Sequence, residues 1–334
     1  MRGKRDSIYQ LLKDNLEDKR LVNDKDLAKE TIKICAVVPT YNRKKLLGDC
    51  LRAILSQTRC LDEVIVVDNA TSDGTEDFVK EQFASVTYVR LPENIGSSGG
   101  FHEGMKLAYE KGHDWIWVMD DDAIPKVDAL EKLLDCPVRL EKEVYALASA
   151  VLNWDETIFP AHRRLFHAKK MTETIIGTEE YTQDYFQMDT ASFVGFLLSR
   201  KAIDEVGLPL KEMFIYFDDT EYSLRIREKG IMFTVPASKV VHGERAKTLG
   251  SSPWGQSPSG WKKYYAIRNQ IYTYKRYGKP NLAYYRHLFR VTRDDIRKSL
   301  RSNQARSYNI RLSLCATFDG LRGKLGKNAH FRPG

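Results

Sequence analysis

The stretch Trp115-Ile116-Trp117-Val118-Met119-Asp120-Asp121-Asp122 joins an apolar run directly to three consecutive carboxylates. The apolar half predicts a buried strand, and neighbouring carboxylates at its end repel and raise one another's pKa. A hard divalent cation is the obvious counter-charge, because it takes oxygen ligands and is often shared with substrate phosphates. If the segment stays extended, Asp120 and Asp122 form one acidic face. The alternative is a capping cluster for a following helix, although one Asp suffices for a cap.

Strand-like and helix-like segments alternate around this stretch. Predicted strands cover residues 34–38, 63–68, 86–91, 115–119, 191–199, 232–235 and 239–242, and predicted helices cover 44–57, 75–83, 101–111, 201–206 and 220–229. Residues 92–100 and 243–260 are predicted loops, and residues 153–190 are predicted to form strands and loops without assigned bounds. This order predicts right-handed βαβ units, hence an α/β fold with a mixed, mainly parallel sheet flanked by helices. Ligands of such sheets collect at the carboxyl ends of the strands.

The charge of the chain is unevenly distributed. Net charge is +8, yet residues 261–334 hold 18 Lys and Arg against three acidic residues, which gives +15 there and −7 elsewhere. Such asymmetry indicates an anionic partner, either lipid head groups or nucleic acid, unless the basic residues form only a solvated helical face. We divide the chain into a helical docking segment at 1–30 with an amphipathic helix at 7–16, a catalytic domain at 31–250, and a basic, aromatic helical extension at 251–334.

Cysteine content and hydropathy exclude several classes of protein. The five cysteines are scattered without a Cys-x-x-Cys pair, so neither a zinc site nor a disulfide framework is indicated, and a reducing, cytosolic setting fits. No apolar run approaches the ~18 residues of a membrane-spanning helix. The basic start of the chain lacks a following apolar region, so we expect no secretory signal.

Several motifs occur in a fixed order along residues 34–245. They are Val37-Val38-Pro39-Thr40-Tyr41-Asn42-Arg43, Val66-Val67-Asp68-Asn69, Thr71-Ser72-Asp73-Gly74-Thr75, Asn94-Ile95-Gly96 and the acidic triplet. Together they resemble the family 2 glycosyltransferases of GT-A fold. The segment Asn94–Phe101, with Phe217-Asp218-Asp219-Thr220-Glu221-Tyr222 and His242, is similar to the bacterial galactofuranosyltransferase branch, and rhamnosyltransferases share much of the pattern.

The resemblance implies a site for a nucleotide-sugar donor. Carboxylates at strand ends suit a base imide or a ribose hydroxyl, and glycines at a helix start let backbone N–H groups approach phosphate or sugar oxygens. For Asp68 the family implies a uracil or thymine contact, whereas ordinary turn chemistry is the alternative. The expected donor-binding residues are Thr40, Tyr41, Asn42, Arg43, Asp68, Asn94, Gly96, Gly99, Gly100, Asp120 and Asp121.

The resemblance also implies a metal and a catalytic base. Asp120, Asp122 and His242 are the expected ligands of Mn²⁺ or Mg²⁺, although a lone His is often only a satisfied polar group. An inverting transferase needs a carboxylate that takes the acceptor proton, and Asp219 is that residue by its match to the family. Asp218 would orient hydroxyl groups. Helix capping is the alternative for both residues and is compatible with catalysis.

The segment that begins at Trp261-Lys262-Lys263-Tyr264-Tyr265 has two readings. Its aromatic and basic residues suit a membrane interface, or its aromatics are the core of a helix packed on the catalytic domain. Arg268 is a candidate ligand for an acceptor pyrophosphate, and Glu221 and Trp261 are further acceptor candidates.

These inferences predict an inverting, metal-dependent glycosyltransferase. It would transfer galactofuranose from UDP-galactofuranose, or else rhamnose from dTDP-rhamnose, to a lipid-linked bacterial glycan. It would work peripherally on the anionic cytoplasmic face of the inner membrane, without nucleic acid, and the C-terminal region could form a homo-oligomer. A basic nucleic-acid-binding protein is a competing class, but the −7 remainder does not suit a phosphate-backbone groove. An inert transferase-like module is a third class, which clustered carboxylates argue against.

Overall fold

The computed structural model describes residues 32–242, 260–301 and 305–332. The predicted helix at 7–16 and almost all of the predicted loop at 243–260 lie outside these ranges. The described strands are β1 Ile34–Thr40, β2 Glu63–Asp68, β3 Thr87–Arg90, β4 Trp115–Val118, β5 Ala123–Pro125, β6 Val144–Leu152, β7 Arg163–His167, β8 Thr172–Ile175, β9 Phe186–Met188, β10 Thr190–Ala191, β11 Phe196–Ser199 and β12 Ile231–His242. The described helices are α1 Lys44–Leu55, α2 Thr75–Gln82, α3 Gly96–Glu110, α4 Ala129–Leu134, α5 Arg200–Val206, α6 Asp218–Lys229, α7 Lys262–Tyr277, α8 Leu282–Arg301 and α9 Arg306–Arg322.

One large mixed sheet organises the catalytic region. Its order is β3-β2-β1-β4-β11-β6-β12-β5, with β9 also paired to β12. Strands β3, β2, β1 and β4 run parallel, as do β6 and β12, whereas β11, β5 and β9 run antiparallel to their neighbours. The predicted α/β fold with a mainly parallel sheet is therefore confirmed. A second sheet of order β10-β7-β8 lies almost entirely within residues 153–190, for which the sequence predicted strands and loops without bounds.

Helices cover both faces of the large sheet, as the continuous apolar runs of its strands require. Alternate residues of β1 point to opposite faces. Val38 shares a buried cluster with Leu51 of α1, whereas Val37 shares another with Phe101 and Met105 of α3. The polar residues that follow β1, β2 and β4 therefore emerge at one edge of a sheet buried on both sides.

Three predicted boundaries are wrong. Residues 96–100 are not loop but the first turn of α3, since Gly100 lets this turn approach β1 so closely that a Cβ would lie 2.7 Å from the Pro39 Cβ. Residues 231–242 form one strand with an irregularity between Val235 and Lys239, rather than two short strands. The strand predicted at 191–199 is interrupted, because Gly195 has a φ of +63°. In each case a local feature of the backbone makes the helix or strand longer or shorter than the sequence pattern predicts.

The C-terminal helices pack on the catalytic region. Tyr264 and Tyr265 of α7 are buried in a cluster with Phe214, Leu312 and Phe331. The reading in which the aromatics of α7 form a packed core is therefore correct for these two residues, and they do not face a membrane. Within the described ranges, no helix combines the length and the apolar character needed to cross a bilayer.

Candidate active site

The acidic triplet lies in a turn between β4 and β5. The Ala123 N–H donates to the Asp120 carbonyl over 3.1 Å, so the triplet does not continue the extended strand. The premise of an extended segment was wrong. The turn nevertheless directs Asp120 and Asp122 to one side, while Asp121 points back toward the end of β1.

The pairing of β12 with β5 brings His242 to this turn. The two strands are antiparallel, and their register sets His242 opposite Ala123. His242 Nε2 lies 3.2 Å from Asp122 Oδ1 and 3.5 Å from Asp120 Oδ2. One potential ligand atom from each side chain fits within 4.8 Å of the others. The three predicted metal ligands therefore lie together, and metal binding by them stays a prediction.

The cluster is strongly polarised. Burial would raise the pKa of Asp122, but the hydrogen bond and positive charge of His242 outweigh it and lower that pKa to about 2. Burial would lower the pKa of His242, but Asp120 and Asp122 raise it to about 10. The imidazole and the two carboxylates therefore stabilise one another's charged forms.

Asp121 organises the end of β1. Its carboxylate accepts a hydrogen bond of 2.7 Å from the Thr40 hydroxyl and one of 3.1 Å from Arg43 Nη1. Arg43 Nη1 also lies 3.2 Å from Asp122 Oδ2. Burial raises the pKa of Asp121 to about 6, although Arg43 and Thr40 oppose the shift. Arg43, Asp121 and Thr40, predicted donor ligands, thus form one connected unit beside the cluster.

The loops that follow β1 and β2 are tied together. Asn42 has a φ of +52°, and its side chain accepts a hydrogen bond from the Ser72 N–H. Tyr41 is exposed at the same edge. Asn94 accepts a hydrogen bond of 2.8 Å from the Gly96 N–H at the start of α3. Asn42 and Asn94 therefore order the loops through their side chains, and direct contacts with the donor stay a prediction.

Asp68 is fully buried. Its carboxylate accepts hydrogen bonds from the Thr71 N–H and hydroxyl, the Tyr88 hydroxyl and Arg90 Nη1. The predicted direct contact with a base does not match this arrangement, because protein donors already surround the carboxylate. The ordinary turn role, which the sequence left open, fits Asp68.

Two of the predicted donor-site glycines have clear packing reasons. Gly96 has a φ of +82°, and a Cβ there would lie 1.9 Å from the Phe214 carbonyl oxygen. A Cβ on Gly99 would lie 2.5 Å from the Ile95 side chain. The need for glycine therefore comes from close contacts within the protein, and phosphate binding at this turn stays a prediction.

Asp218 and Asp219 begin α6. Asp218 is buried, and this burial together with the charge of Asp219 raises its pKa to about 8. Burial raises the pKa of Asp219 only to about 6, because the Thr220 N–H, 2.6 Å away, and Arg164 oppose the shift. Asp120 also raises both pKa values, so both carboxylates lie within electrostatic reach of the triplet.

The loop that delivers these carboxylates is strained. Phe214, Tyr216 and Phe217 have φ values of +68°, +66° and +65°, a region that non-glycine residues rarely occupy. Such conformations cost on the order of 1–3 kcal/mol each and persist only when their surroundings enforce them. Here Asn269 of α7 supplies the restraint, because its side-chain amide donates to the carbonyls of Met213, Ile215 and Tyr216.

Arg268 contributes to the same restraint. It is 1% exposed, and its guanidinium donates to the carbonyls of Glu212, Met213 and Gly326 and to the Asn269 side chain. The prediction that Arg268 binds an acceptor pyrophosphate is wrong for this structure. The positive charge of Arg268 suggested a substrate ligand, whereas its guanidinium instead donates hydrogen bonds to buried backbone carbonyls.

Glu221 also has a structural role. It is fully buried, its Oε2 accepts from Arg225, and its Oε1 accepts a hydrogen bond of 2.6 Å from the Tyr277 hydroxyl. The prediction of an acceptor contact is therefore wrong, because both carboxylate oxygens have protein partners and the bond from Tyr277 ties α6 to α7. Trp261, by contrast, is half-buried against Phe214, and its acceptor role stays a prediction.

Sequence reasoning missed residues of the second sheet and its approach. The His162 ring lies edge-on to that of His242, and Arg164 Nη1 lies 3.6 Å from the buried Glu173. Glu173 in turn accepts hydrogen bonds from Thr190 and Tyr274. The only signal in the sequence was the run His162-Arg163-Arg164, whose charge is unusual beside strands this short.

Comparison with known proteins agrees with this architecture. Residues 35–207 match the family described as Glycosyl transferase family 2. Galactofuranosyltransferase GlfT1 of Mycolicibacterium smegmatis is 31% identical over 72% of this chain and 82% of its own. The dTDP-rhamnosyl transferase RfbF of Shigella flexneri is 27% identical over 88% of this chain and 97% of its own.

Two solved structures share the fold. The crystal structure of GalNAc-T7 with UDP, GalNAc and Mn²⁺ has a TM-score of 0.56 at 13% identity and covers 89% of this chain, which spans 57% of that one. The structure of Staphylococcus aureus TarS 1–349 in complex with UDP has a TM-score of 0.53 at 12% identity and covers 87% of this chain and 81% of its own. The fold is thus that of the GT-A glycosyltransferases. The chain belongs to glycosyl transferase family 2 and is a glycosyltransferase.

Proposed function

We propose that this protein is an inverting, metal-dependent glycosyltransferase that extends a lipid-linked bacterial cell-surface glycan. The donor is UDP-galactofuranose in the first instance and dTDP-rhamnose in the second, a ranking supported by the names and identities of the two relatives. The observation that carries the proposal is the convergence of Asp120, Asp122 and His242 at the sheet edge that Asp218 and Asp219 also approach.

The three converging side chains fit Mn²⁺, and Mg²⁺ is the alternative. Two carboxylates and one imidazole suit manganese better than strictly oxygen-seeking cations. Deprotonated His242 would offer Nε2, the atom that already faces both carboxylates. When bound, the ion would neutralise the diphosphate and stabilise the departing nucleotide. The UDP and Mn²⁺ in the GalNAc-T7 structure support this choice of partner.

Asp219 is the proposed base. It takes the proton from the acceptor hydroxyl as that oxygen bonds to the anomeric carbon and the bond to the nucleotide diphosphate breaks. The Thr220 N–H and Arg164 favour the ionised form of Asp219, whereas burial and the charge of Asp219 raise the pKa of Asp218 and favour its protonated form. Asp218 is therefore better suited to orienting hydroxyl groups than to accepting a proton.

The proposed location is the cytoplasmic face of the bacterial inner membrane, where lipid-linked acceptors are extended. The chain would be held there peripherally by its basic C-terminal region, and self-association is compatible with that arrangement. The acceptor and the location are supported by the bacterial galactofuranosyltransferase and rhamnosyltransferase relatives. Nucleic acid is not among the proposed partners.

Thermal denaturation with nucleotide and metal tests the donor site. We expect UDP or dTDP to raise the Tm only when Mn²⁺ is present, and Asp122→Asn to abolish the rise. Asp49→Asn, at an exposed position on α1, should retain it. Indifference of the wild-type protein to every nucleotide–metal pair would overturn the proposal, and the larger shift would distinguish the uridine donor from the thymidine donor.

Transfer assays test the base. Asp219→Asn should lower kcat at least about 100-fold, the lower end of what a general base contributes, while leaving donor affinity nearly intact. Loss of donor binding in this variant would show that Asp219 belongs to the donor site. A product with retained anomeric configuration would contradict the inverting mechanism.

A further inference from the structure

Helix α8 exposes a stripe of large apolar side chains. Leu282, Phe289 and Leu300 are 65%, 70% and 55% exposed, and Tyr285 is 43% exposed. At 100° per residue these four positions fall within about 60° of one another around the helix, with Ile296 between them. Single exposed apolar residues are ordinary, but an aligned series along five turns marks a contact surface.

A stripe of arginines runs beside the apolar one. Arg286, Arg290, Arg293, Arg297 and Arg301 follow one another at intervals of three or four residues, so they share one side of α8. All five are exposed. Asp294 lies 3.1 Å from Arg293 and 3.8 Å from Arg297, which offsets one positive charge of the stripe. The remaining charge is strongly positive.

Helix α9 extends the apolar stripe. Thr292 contacts Thr317 and Asp295 contacts Ser313, so α8 and α9 are antiparallel. In two antiparallel right-handed helices with this register, Phe289 of α8 and Phe318 of α9 lie on the same side of the plane that contains both helix axes. Leu314 and Phe318 are 50% and 54% exposed, and the Arg322 guanidinium lies 4.0 Å above the Phe318 ring.

We propose that this hairpin face, formed by Leu282, Tyr285, Phe289, Leu314 and Phe318 with the flanking arginines of α8, docks on an anionic lipid bilayer. The inference deepens the membrane location in the proposed function, and rests on it, by naming the surface. Apolar and aromatic side chains enter the interface while the arginine guanidinium groups meet anionic head groups. The surface differs from the one that the sequence indicated, since Tyr264 and Tyr265 of α7 are buried.

Charge complementarity selects lipid over a second copy of the chain. In a two-fold symmetric dimer through this face, the same surface patch would meet itself and bring two arginine stripes together. Their repulsion opposes such contact, whereas an anionic bilayer attracts each arginine by about 1 kcal/mol, or roughly fivefold in partition. An anionic bilayer is therefore the occupant that both stripes favour.

Vesicle binding by the full chain tests this assignment. We compare the wild type with Arg286→Gln/Arg290→Gln/Arg297→Gln, using phosphatidylcholine vesicles with and without phosphatidylglycerol. The triple variant should bind anionic vesicles about 100-fold more weakly, since three arginines are removed. Phe289→Ser/Phe318→Ser should weaken binding to the same vesicles at least about tenfold. The matched control is Arg52→Gln/Lys80→Gln/Lys106→Gln, which removes three exposed cations from α1, α2 and α3 and should bind like the wild type.

The outcomes are distinguishable. Wild-type affinity in the triple variant, or an equal loss in the control, would overturn the assignment of this face. A dimer of the wild type that the phenylalanine variant abolishes, without vesicle binding by either, would assign the face to self-association instead. Transfer to a water-soluble acceptor should be unchanged in the triple variant. Failure of the wild type in that assay would refute the proposed function, whatever the vesicle result.

Discussion

The ring of His162 lies edge-on to the ring of His242, with 5.1 Å between the centroids and 86° between the planes. His162 Nδ1 is 2.6 Å from the Ser192 hydroxyl oxygen, which fixes the ring of His162 from the other side. The orientation of His242 decides where its Nε2 points, and that atom faces both Asp120 and Asp122. His162 is therefore a positioning residue for the proposed metal site.

Replacing His162 with Ala is expected to weaken Mn²⁺ binding about tenfold, because partners that orient a metal-ligating imidazole commonly contribute 10–100-fold in affinity. Isothermal titration calorimetry with Mn²⁺ alone measures this without any turnover. His162→Phe keeps a ring against His242 and should lose less. The control is His102→Ala, which removes a ring that is hydrogen-bonded to the Pro209 carbonyl and should leave Mn²⁺ affinity unchanged. Equal affinity in His162→Ala and the wild type would remove His162 from the site.

The rate of transfer is expected to fall in acid. As the proposed base, Asp219 must be ionised to accept a proton, and its pKa is raised to about 6, so kcat/KM should be level above that pH and drop about tenfold per pH unit below it. Arg164 opposes the rise in this pKa. Arg164→Gln should therefore move the acidic limb to higher pH, which a pH–rate profile of the two proteins detects. A limb that stays in place, or moves to lower pH, would contradict the assignment.

Asn269→Ala is expected to lower the free energy of unfolding by about 3 kcal/mol, since a buried carbonyl that loses its donor costs about 1–3 kcal/mol. The loop before Asp218 should also lose its shape, so that activity falls further than stability alone predicts. Urea denaturation and transfer assays measure the two effects. Asn281→Ala removes an exposed cap on the Tyr284 N–H and should cost only about 1 kcal/mol. Similar losses in both variants would show that Asn269 has no special role.

Gly104→Ala is expected to destabilise the fold by about 1–3 kcal/mol through overpacking. A Cβ at this position would lie 2.4 Å from Val37 Cγ1 and 2.9 Å from Val67 Cγ2, so α3 would have to move away from β1 and β2. Thermal or urea unfolding measures the loss. Lys106→Ala, exposed on the same helix, should stay within about 0.5 kcal/mol of the wild type.

The sequence was sufficient wherever consecutive residues carried the signal. The apolar run before Asp120 predicted β4, and the strand–helix alternation predicted a mainly parallel sheet with polar residues at one edge. The approach of His242 to Asp122 depends on the pairing of β12 with β5, which no local pattern contains. That contact was predicted only through the family resemblance. A set of motifs in a fixed order can indicate which distant segments lie together in the fold, whereas hydrophobic periodicity indicates only local secondary structure.

The failures have physical causes of two kinds. The small sheet of β7, β8 and β10 consists of strands too short for a clear alternation, so His162 and Arg164 could not be placed. Arg268 and Glu221 were misread because a charged side chain predicts exposure or a ligand, whereas both are buried with protein partners. Residue type alone does not distinguish a charge paired within the protein from one that waits for a substrate.

The amide of Asn269 supports the corner of the chain that leads to Asp219, the proposed base. The predicted domain boundary at residue 250 thus separates Asn269 from the loop whose shape it maintains. A homologue that exchanged its terminal helices for another appendage would need a new brace for this corner. Chimeras are therefore expected to stay active only when the terminal helices and the loop they restrain are transplanted as a set.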